Sequence, residues 1–320
     1  MRMGVMTVLF KDLAFEKALD KAAAAGVSAV EIGAGGFPGS HHCRVDDLLA
    51  SATERQAFLK AIESRGLMLS AISVHNNPLH PDPKVAGLAD DELRKAIRLA
   101  QALGVPVVNG FSGLPAGAPG DKSPNWVTCP WPPEFLQMLD YQWNQIAIPY
   151  WREMERFASD HGVKIAFEMH PGMLVYNVET LLRLREATGP GLGCNFDPSH
   201  LWWNGVDAAA AIRKLGEAIF HVHGKDCFVD LNNIRVNGCN DHKPYDRILD
   251  RAWTFRSIGY GHDAAVWREI VSTLRLVGYD YVISIEHEDA LMSNDEGLAK
   301  GIALLKEVVI SDPPGEMFWA

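Results

Sequence analysis

Four side chains able to bind a metal ion stand near the ends of four short apolar segments in the second half of the chain: Glu168, Asp197, His223 and Glu286. In each segment alternate residues are apolar, and residues two apart on a strand share a face. The apolar residues mark a covered outer face, so the four polar side chains share the inner one. Three crowded carboxylates repel one another and lose hydration unless a cation or protons compensate. The pattern predicts a divalent metal ion.

The donor types indicate which ion such a site prefers. Carboxylate oxygens with one imidazole form a hard ligand set that suits Mn²⁺, Mg²⁺ or Co²⁺, whereas thiolates select zinc. The five cysteines are an odd number, and no two have the C-x-x-C spacing of a zinc site. We predict one divalent ion, with Mn²⁺ preferred and Mg²⁺, Co²⁺ or Zn²⁺ as alternatives. Taken singly, each ligand could instead form a salt bridge or fill the core.

Further polar side chains are predicted around the same inner mouth. His170 and Lys225 continue the inner parity of their strands, and Glu31 and His75 have the same parity on the second and third strands. His200 lies on the loop after the second of the four ligands, where it can bind a substrate hydroxyl or a second metal ion. We assign these five residues to substrate binding, with a structural role as the alternative for each.

Short apolar runs alternate with segments of helical period along the whole chain, which is typical of a parallel α/β fold. Eight such units in 320 residues, 40 per unit, suit a closed barrel. We predict an α/β fold, a single (β/α)8 TIM barrel over residues 1–320. Strands are predicted at 4–9, 27–32, 68–74, 105–110, 163–169, 192–197, 219–224 and 281–287. Helices are predicted at 14–25, 53–65, 90–103, 141–161, 178–188, 206–215, 263–277 and 294–309.

Two connections, 111–140 after strand 4 and 227–262 after strand 7, far exceed the usual loop length of roughly 4–6 residues. Loops after strands lie on the face of a barrel where active sites are built, so both are predicted to wall or cover a pocket. Tryptophans in or beside these loops can either stack on the apolar face of a sugar or pack in the core. They are Trp126, Trp131, Trp202, Trp203 and Trp253.

Composition excludes several classes of partner. The net charge is −10, with 40 acidic against 30 basic residues and no basic run, which argues against nucleic acid and anionic membrane surfaces. No apolar run approaches the roughly 20 residues that span a bilayer. The first residues read as a strand rather than a signal peptide. With unpaired cysteines indicating a reducing compartment, we expect a cytoplasmic protein.

The strand-end motifs resemble the xylose-isomerase-like TIM barrels, a superfamily of sugar phosphate isomerases and epimerases, ketose 3-epimerases, inositol-catabolic enzymes and class II AP endonucleases. This resemblance implies that the four residues named first are metal ligands, that His200 binds substrate, and that the two glutamates also move protons. The segment Gly224-Lys225-Asp226 departs from the ketose 3-epimerases. The motifs are Phe167-Glu168-Met169-His170-Pro171, Asn195-Phe196-Asp197-Pro198-Ser199-His200, His221-Val222-His223-Gly224-Lys225-Asp226 and Ser284-Ile285-Glu286-His287-Glu288.

We therefore predict a metal-dependent sugar isomerase or epimerase. It would remove a proton next to a carbonyl through a metal-stabilised enediolate, with Glu168 and Glu286 as the catalytic base and acid. The first alternative is a lyase or deglycosidase acting on 3-oxo-glycosides, because the insertions and the segment 255–263, which includes Arg256, look like the branch with the catalytic subunits of C-glycoside deglycosidases. Arg256 is accordingly assigned to substrate binding. The second alternative is a non-catalytic sugar-binding barrel.

The expected partner is a small sugar or keto-sugar. Relatives in the resembling superfamily imply a homo-oligomer, and the deglycosidase branch would add a small second subunit. Nuclease activity is not expected, because Asn109-Gly110 ends the fourth strand, where the AP endonucleases carry an additional histidine.

Overall fold

The structure is a computed structural model that describes residues 1–319. Its barrel strands are β1 Arg2–Met6, β2 Ala29–Gly36, β3 Met68–His75, β4 Val107–Gly110, β5 Lys164–Glu168, β6 Leu192–Phe196, β7 Ile219–Gly224 and β10 Val282–Ile285. They close in the order β1-β10-β7-β6-β5-β4-β3-β2, and every pair is parallel. The predicted (β/α)8 barrel is confirmed. The single domain is predicted over residues 1–320, and its last residue, 320, lies outside the described part of the chain.

All eight predicted helices are present within a few residues of their expected limits, except that the third begins earlier and the fourth is divided. The helices are α1 Phe15–Ala25, α2 Val45–Ala50, α3 Ala52–Glu63, α4 Pro83–Leu103, α5 Glu134–Asp140, α6 Ile148–Asp160, α7 Val178–Thr188, α8 Ser199–Trp202, α9 Ala208–Leu215, α10 Leu231–Asn237, α11 Ala264–Leu276 and α12 Asn294–Val308. A π-helical stretch, Tyr141–Ala147, joins α5 to α6. No helix within residues 1–319 is long and apolar enough to cross a bilayer.

The core lies between the strands and the surrounding helices. Large buried side chains such as Trp151 and Trp267 fill this layer together with the outward-facing strand residues. The barrel interior is polar through most of its height and is closed below by a small apolar cluster of Val107, Ala166 and Phe220. The buried polar groups that face inward therefore lie above this apolar floor.

The position of Phe220 corrects one expectation. Strand parity predicts that Phe220 faces outward with Val222, but its ring packs inside the barrel. The register between β6 and β7 shifts at Cys194 and Asn195, so Phe220 is the extra residue of a β-bulge. Its ring covers Gly193, where any Cβ would collide with it. The bulge therefore reverses the side-chain direction for one residue, and the parity of His223 is kept.

The second long connection is more ordered than expected. It contains α10 and an antiparallel hairpin of β8 Asp226–Val229 and β9 Trp253–Arg256, neither of which is predicted from the sequence. The hairpin begins two residues after the end of β7, directly above the barrel mouth. Through Thr254, Phe255 and Arg256 of β9 it forms a wall of the cavity at that mouth, as predicted for this connection.

Buried Asp226 anchors this hairpin to the barrel. Its Oδ2 accepts hydrogen bonds from the backbone N–H groups of Gly259, Gly261 and His262, at 2.9, 3.2 and 3.0 Å. The same oxygen accepts the indole N–H of Trp267 at 3.2 Å. One carboxylate therefore fixes both the turn after β9 and the start of α11.

Replacing Asp226 with alanine is expected to lower the free energy of unfolding by about 3 kcal/mol or more, because several buried N–H donors lose their acceptor. Urea denaturation measures the change. Asp263→Ala, which removes only the N-cap of α11, is the matched control and should cost about 1 kcal/mol. A loss for Asp226→Ala no larger than that of the control would contradict the anchoring role.

Candidate metal centre and active site

The four predicted ligands converge at the carboxyl ends of β5, β6, β7 and β10. One ligand atom from each of Glu168, Asp197, His223 and Glu286 lies within 4.8 Å of every other. His223 Nδ1 is the middle of the group, 3.0 Å from Glu168 Oε2 and 3.1 Å from Glu286 Oε2. Asp197 and His223 are buried deeper than the two glutamates, which line an open cavity. The convergence follows from parallel strands that end at one rim.

The hydrogen bonding of this cluster fits a bound cation. Among residues 1–319, His223 Nδ1 and Asp197 Oδ2 are buried and make close contacts, with Glu168 and Glu286 in the first case and Lys225 in the second, but neither atom has a hydrogen bond of good geometry. Buried polar atoms are normally paired, so two such atoms in one cluster fit a site that is completed by a ligand. Three carboxylates and an imidazole supply oxygen-rich donors that match a hard divalent ion. These residues could therefore hold the metal ion that the sequence predicts.

The carboxyl groups of the cluster differ in protonation. Burial alone would raise the pKa of Glu168, but contacts from the His200 and His223 rings hold it well below the usual range. Burial would likewise raise the pKa of Glu286, but the charge of Lys225 brings it to about 2. For Asp197, burial outweighs the attraction of Lys225 and raises the pKa to about 7. Both cavity-lining glutamates are thus ionised at neutral pH.

Glu31 lies behind His223 and not in the cavity. It is fully buried, and its carboxylate faces His223 Nε2 at 3.0 Å from both oxygens. Ser73 Oγ donates to Glu31 at 2.5 Å and Asn109 Nδ2 at 2.9 Å. The predicted substrate contact is therefore replaced by a contact with the opposite nitrogen of a candidate metal ligand. A carboxylate there favours a proton on Nε2, which leaves Nδ1 free for the cluster.

Lys225 brings a buried positive charge to the cluster. Its Nζ lies 2.8 Å from Glu286 Oε2, 3.2 Å from Glu288 Oε2 and 3.2 Å from Asp197 Oδ2. Burial alone would lower the pKa of Lys225, but Glu286 and Glu288 raise it well above its ordinary value. The side chain is therefore an ammonium ion, and it lines the cavity beside Glu286. From there it can donate to a substrate oxygen.

The remaining predicted substrate residues surround the cluster at different depths. His75, His170 and Arg256 line the cavity together with Glu168. His75 Nε2 lies 3.4 Å from Glu168 Oε2. His200 is buried just below the surface, with Nε2 2.9 Å from Glu168 Oε1, and burial lowers its pKa to about 3. Of the six predicted substrate residues, four line the cavity, whereas Glu31 and His200 are buried and do not line it.

The tryptophans follow the second of the two alternatives predicted for them, which is packing against other residues. None of the described tryptophans lines the cavity. Trp203 and Trp253 stack on each other with ring centroids 4.8 Å apart, and Trp202 stacks on His262 at 3.8 Å. Aromatic rings in the cavity come instead from four residues that sequence reasoning did not select as functional. They are Phe37, Phe111, Tyr245 and Phe255.

The chain is similar to several known proteins. The protein YfiH of Bacillus subtilis (strain 168), described as uncharacterized, is 41% identical over 97% of this chain and 99% of its own length. Inosose dehydratase of Clostridium beijerinckii is 30% identical over 31% of this chain and 40% of its own length. A solved D-tagatose 3-epimerase-like protein superposes with a TM-score of 0.63 over 96% of this chain and 97% of its own, at 24% identity, which shows the fold alone.

A family model covers nearly the whole barrel. The model described as "Xylose isomerase-like TIM barrel" matches residues 19–308, from α1 to the end of α12. The match includes all four clustered ligand candidates and the hairpin above them. Together with the closed barrel of parallel strands, this match shows that the chain belongs to the xylose isomerase-like TIM barrel family.

Proposed function

We propose that this protein is a divalent-metal-dependent isomerase or epimerase acting on a sugar ketone. The observation that carries the proposal is that Glu168 Oε2 and Glu286 Oε2 lie 3.0 and 3.1 Å from the same atom, His223 Nδ1. The two carboxylates come from β5 and β10, which β6 and β7 separate in the barrel, and both reach the cavity. A substrate carbon held between them can lose a proton to one and regain a proton from the other.

Glu168, Asp197, His223 and Glu286 would hold the metal ion. When bound, the ion supplies positive charge that stabilises the negative charge developing on a substrate carbonyl oxygen during proton removal. We prefer Mn²⁺ for this donor set, with Mg²⁺, Co²⁺ or Zn²⁺ as alternatives.

The side chains of the protein perform the proton movements. Glu168 is ionised and lines the cavity, so it can accept the proton from the carbon next to the carbonyl. Glu286 takes up a proton from solvent and delivers it to the same carbon from the other side, while Glu168 releases the abstracted proton to solvent. The reverse assignment serves the opposite stereoisomer. Lys225 donates to a substrate oxygen, while His75 and His170 orient hydroxyl groups. Turnover regenerates both carboxylates, so no oxidant or reductant is consumed.

Solvent-deuterium exchange into sugar ketones tests this proposal directly. Incubating the protein with Mn²⁺ and a panel of ketoses and 3-oxo-sugars in D₂O should incorporate deuterium next to the carbonyl, because the abstracted proton exchanges with solvent. Mass spectrometry detects this label even when net conversion is small. Ligand binding without any label throughout the panel would instead favour the non-catalytic sugar-binding barrel.

Removing the metal ion provides a separate expected outcome. Exhaustive chelation should abolish the exchange, and added Mn²⁺, Mg²⁺ or Co²⁺ should restore it, because the ion would supply the positive charge that stabilises the substrate oxygen during proton removal. Elemental analysis before and after chelation verifies the metal content of each sample. Full exchange activity in protein shown to be metal-free would overturn the assignment of the cluster.

A lyase acting on 3-oxo-glycosides is the second candidate. It shares the first proton abstraction and then expels an oxygen or carbon substituent from the neighbouring position, to which a proton must be delivered. The Lys225 ammonium in the cavity supports this candidate, since it is an acid placed next to Glu286. The partial similarity to an inosose dehydratase supports it as well. Chromatography distinguishes the two, because a lyase yields an unsaturated ketone or a released aglycone and an epimerase yields a stereoisomer.

The wider setting follows from the same proposal. The ligand is a small sugar or keto-sugar, and the net charge of −10 argues against nucleic acid and membrane surfaces as partners. Homo-oligomerisation, a small second subunit in the lyase case and a cytoplasmic location remain predictions. Size-exclusion chromatography with light scattering measures the oligomeric state.

A further inference from the structure

The cavity above the cluster is larger than a sugar ring requires. Its volume is about 710 Å³. Pockets of roughly 300–1,000 Å³ hold drug-sized ligands, which have more atoms than one monosaccharide. The reacting groups Glu168, Lys225 and Glu286 occupy its buried end. A sugar held against them leaves much of the volume above it unused.

One wall of the upper cavity is apolar and follows β2 and β4. Phe111 comes directly after β4 and packs against His75 and His170, with ring centroids 4.7 and 4.8 Å away. Phe37 comes directly after β2, lies 6.2 Å from the Phe111 ring and is 78% exposed. Met173 extends this wall. A contiguous apolar surface beside a polar site is typical of a ligand-binding groove.

The facing wall is also aromatic and is carried by the connection after β7. Tyr245 and Phe255 stack with ring centroids 5.8 Å apart and an interplanar angle of 24°. Phe255 reaches down to the cluster, because Lys225 Nζ lies 4.7 Å from its ring centroid. In the closed barrel β7 lies diametrically across from β3, and β2 and β4 are the neighbours of β3. Both walls line the cavity that contains the reacting groups, and we call the space between them the aromatic slot.

We propose that the substrate is amphipathic, a sugar ketone joined to a planar aromatic group that lies between these two walls. This inference rests on the proposed function for the sugar ketone part of the substrate and adds the aromatic group that is joined to it. The polar end of the cavity matches the hydroxyl and carbonyl groups. The upper rings match an aromatic substituent, because offset-stacked or edge-to-face pairs form when ring centroids lie about 4.5–7 Å apart.

Binding of inert compounds tests the inference without turnover. The probes are methyl and 4-nitrophenyl glycosides of glucose, galactose, mannose and xylose, which lack a free carbonyl and so cannot undergo the proposed reaction. Calorimetry with the Mn²⁺-loaded protein gives a dissociation constant for each. For the sugars that bind, the nitrophenyl compound should bind at least tenfold more tightly than its methyl partner, equivalent to about 1.4 kcal/mol.

Variants locate the effect at the two walls. Phe37→Ser and Tyr245→Ser change half-exposed or exposed rings, so their folding should be preserved. Each should reduce the ratio of nitrophenyl to methyl affinity severalfold, and the double variant should bring it near one. Leu276→Ser is the matched control, since Leu276 is 62% exposed at the far end of α11 and should leave the ratio unchanged.

Three results would overturn the inference: no nitrophenyl compound binds, the ratio stays below threefold for every sugar, or the ratio survives in the double variant. None of these depends on the exchange reaction. Tight aryl binding without deuterium exchange would retain the aromatic slot and reject the isomerase or epimerase. Exchange without aryl preference would retain that function and reject the slot.

Discussion

Glu168→Gln and Glu286→Gln are each expected to lose at least 100-fold in turnover. A positioned general acid or base contributes about 10²–10⁴-fold, and an amide neither accepts nor donates the proton as a carboxyl group does. Both side chains line the cavity and flank His223 Nδ1, so each is within reach of a substrate carbon. The rate of deuterium exchange and the rate of net conversion are the measurements.

These variants also remove a candidate metal ligand, so metal content must be measured beside the rate. A variant that still binds one ion per chain and has lost exchange has lost the proton transfer itself. Glu217→Gln is the matched control, since the Glu217 side chain is 92% exposed at the opposite end of the barrel. Near-wild-type turnover in either active-site variant would reject the role assigned to that glutamate.

Glu31→Gln is expected to weaken metal binding 10–100-fold, although Glu31 does not touch the candidate ion site. Partners that orient a ligating histidine typically contribute this much to metal affinity. The carboxylate accepts from His223 Nε2 and thereby keeps the lone pair of Nδ1 directed at the cluster. An amide can present its own N–H to Nε2, which favours the tautomer with the proton on Nδ1 and competes with the metal ion.

Calorimetric titration of the metal-free protein with Mn²⁺ measures the metal affinity without reference to activity. Ser73→Ala is the graded control, because it removes one donor to Glu31 and keeps the carboxylate in place. It should weaken binding less than Glu31→Gln does. Circular dichroism shows whether the buried substitution has disturbed the barrel. Unchanged affinity in folded Glu31→Gln would refute the positioning role.

The contrast between Glu31 and Glu168 shows how far strand parity reaches. Both residues have the inner parity, and both do face the barrel interior. Parity does not indicate, however, how high along the barrel axis a side chain lies. Glu31 lies below His223, whereas Glu168 lines the cavity. Height depends on the stagger of each strand against its neighbours, which is a property of the closed barrel.

The hairpin after β7 illustrates a different limit. Its strands pair residues more than 20 positions apart, with Asp226 opposite Arg256 and Val229 opposite Trp253. The segment between them has no short turn signature, so the sequence indicates a long connection and its place but not its form. The aromatic wall built from Tyr245 and Phe255 therefore becomes visible only when the connection is folded.

The eight-unit barrel and the four residues that meet at its rim were predictable without coordinates. Both depend on local rules, since alternating side chains define the inner face and parallel strands bring their carboxyl ends together. The bulge at Phe220, the depth of Glu31 and the aromatic slot emerge only when the chain is folded. Each of these arises from contacts between distant positions, such as Glu31 and His223, which are 192 residues apart. Register and closure set such contacts, and no local pattern in the chain encodes them.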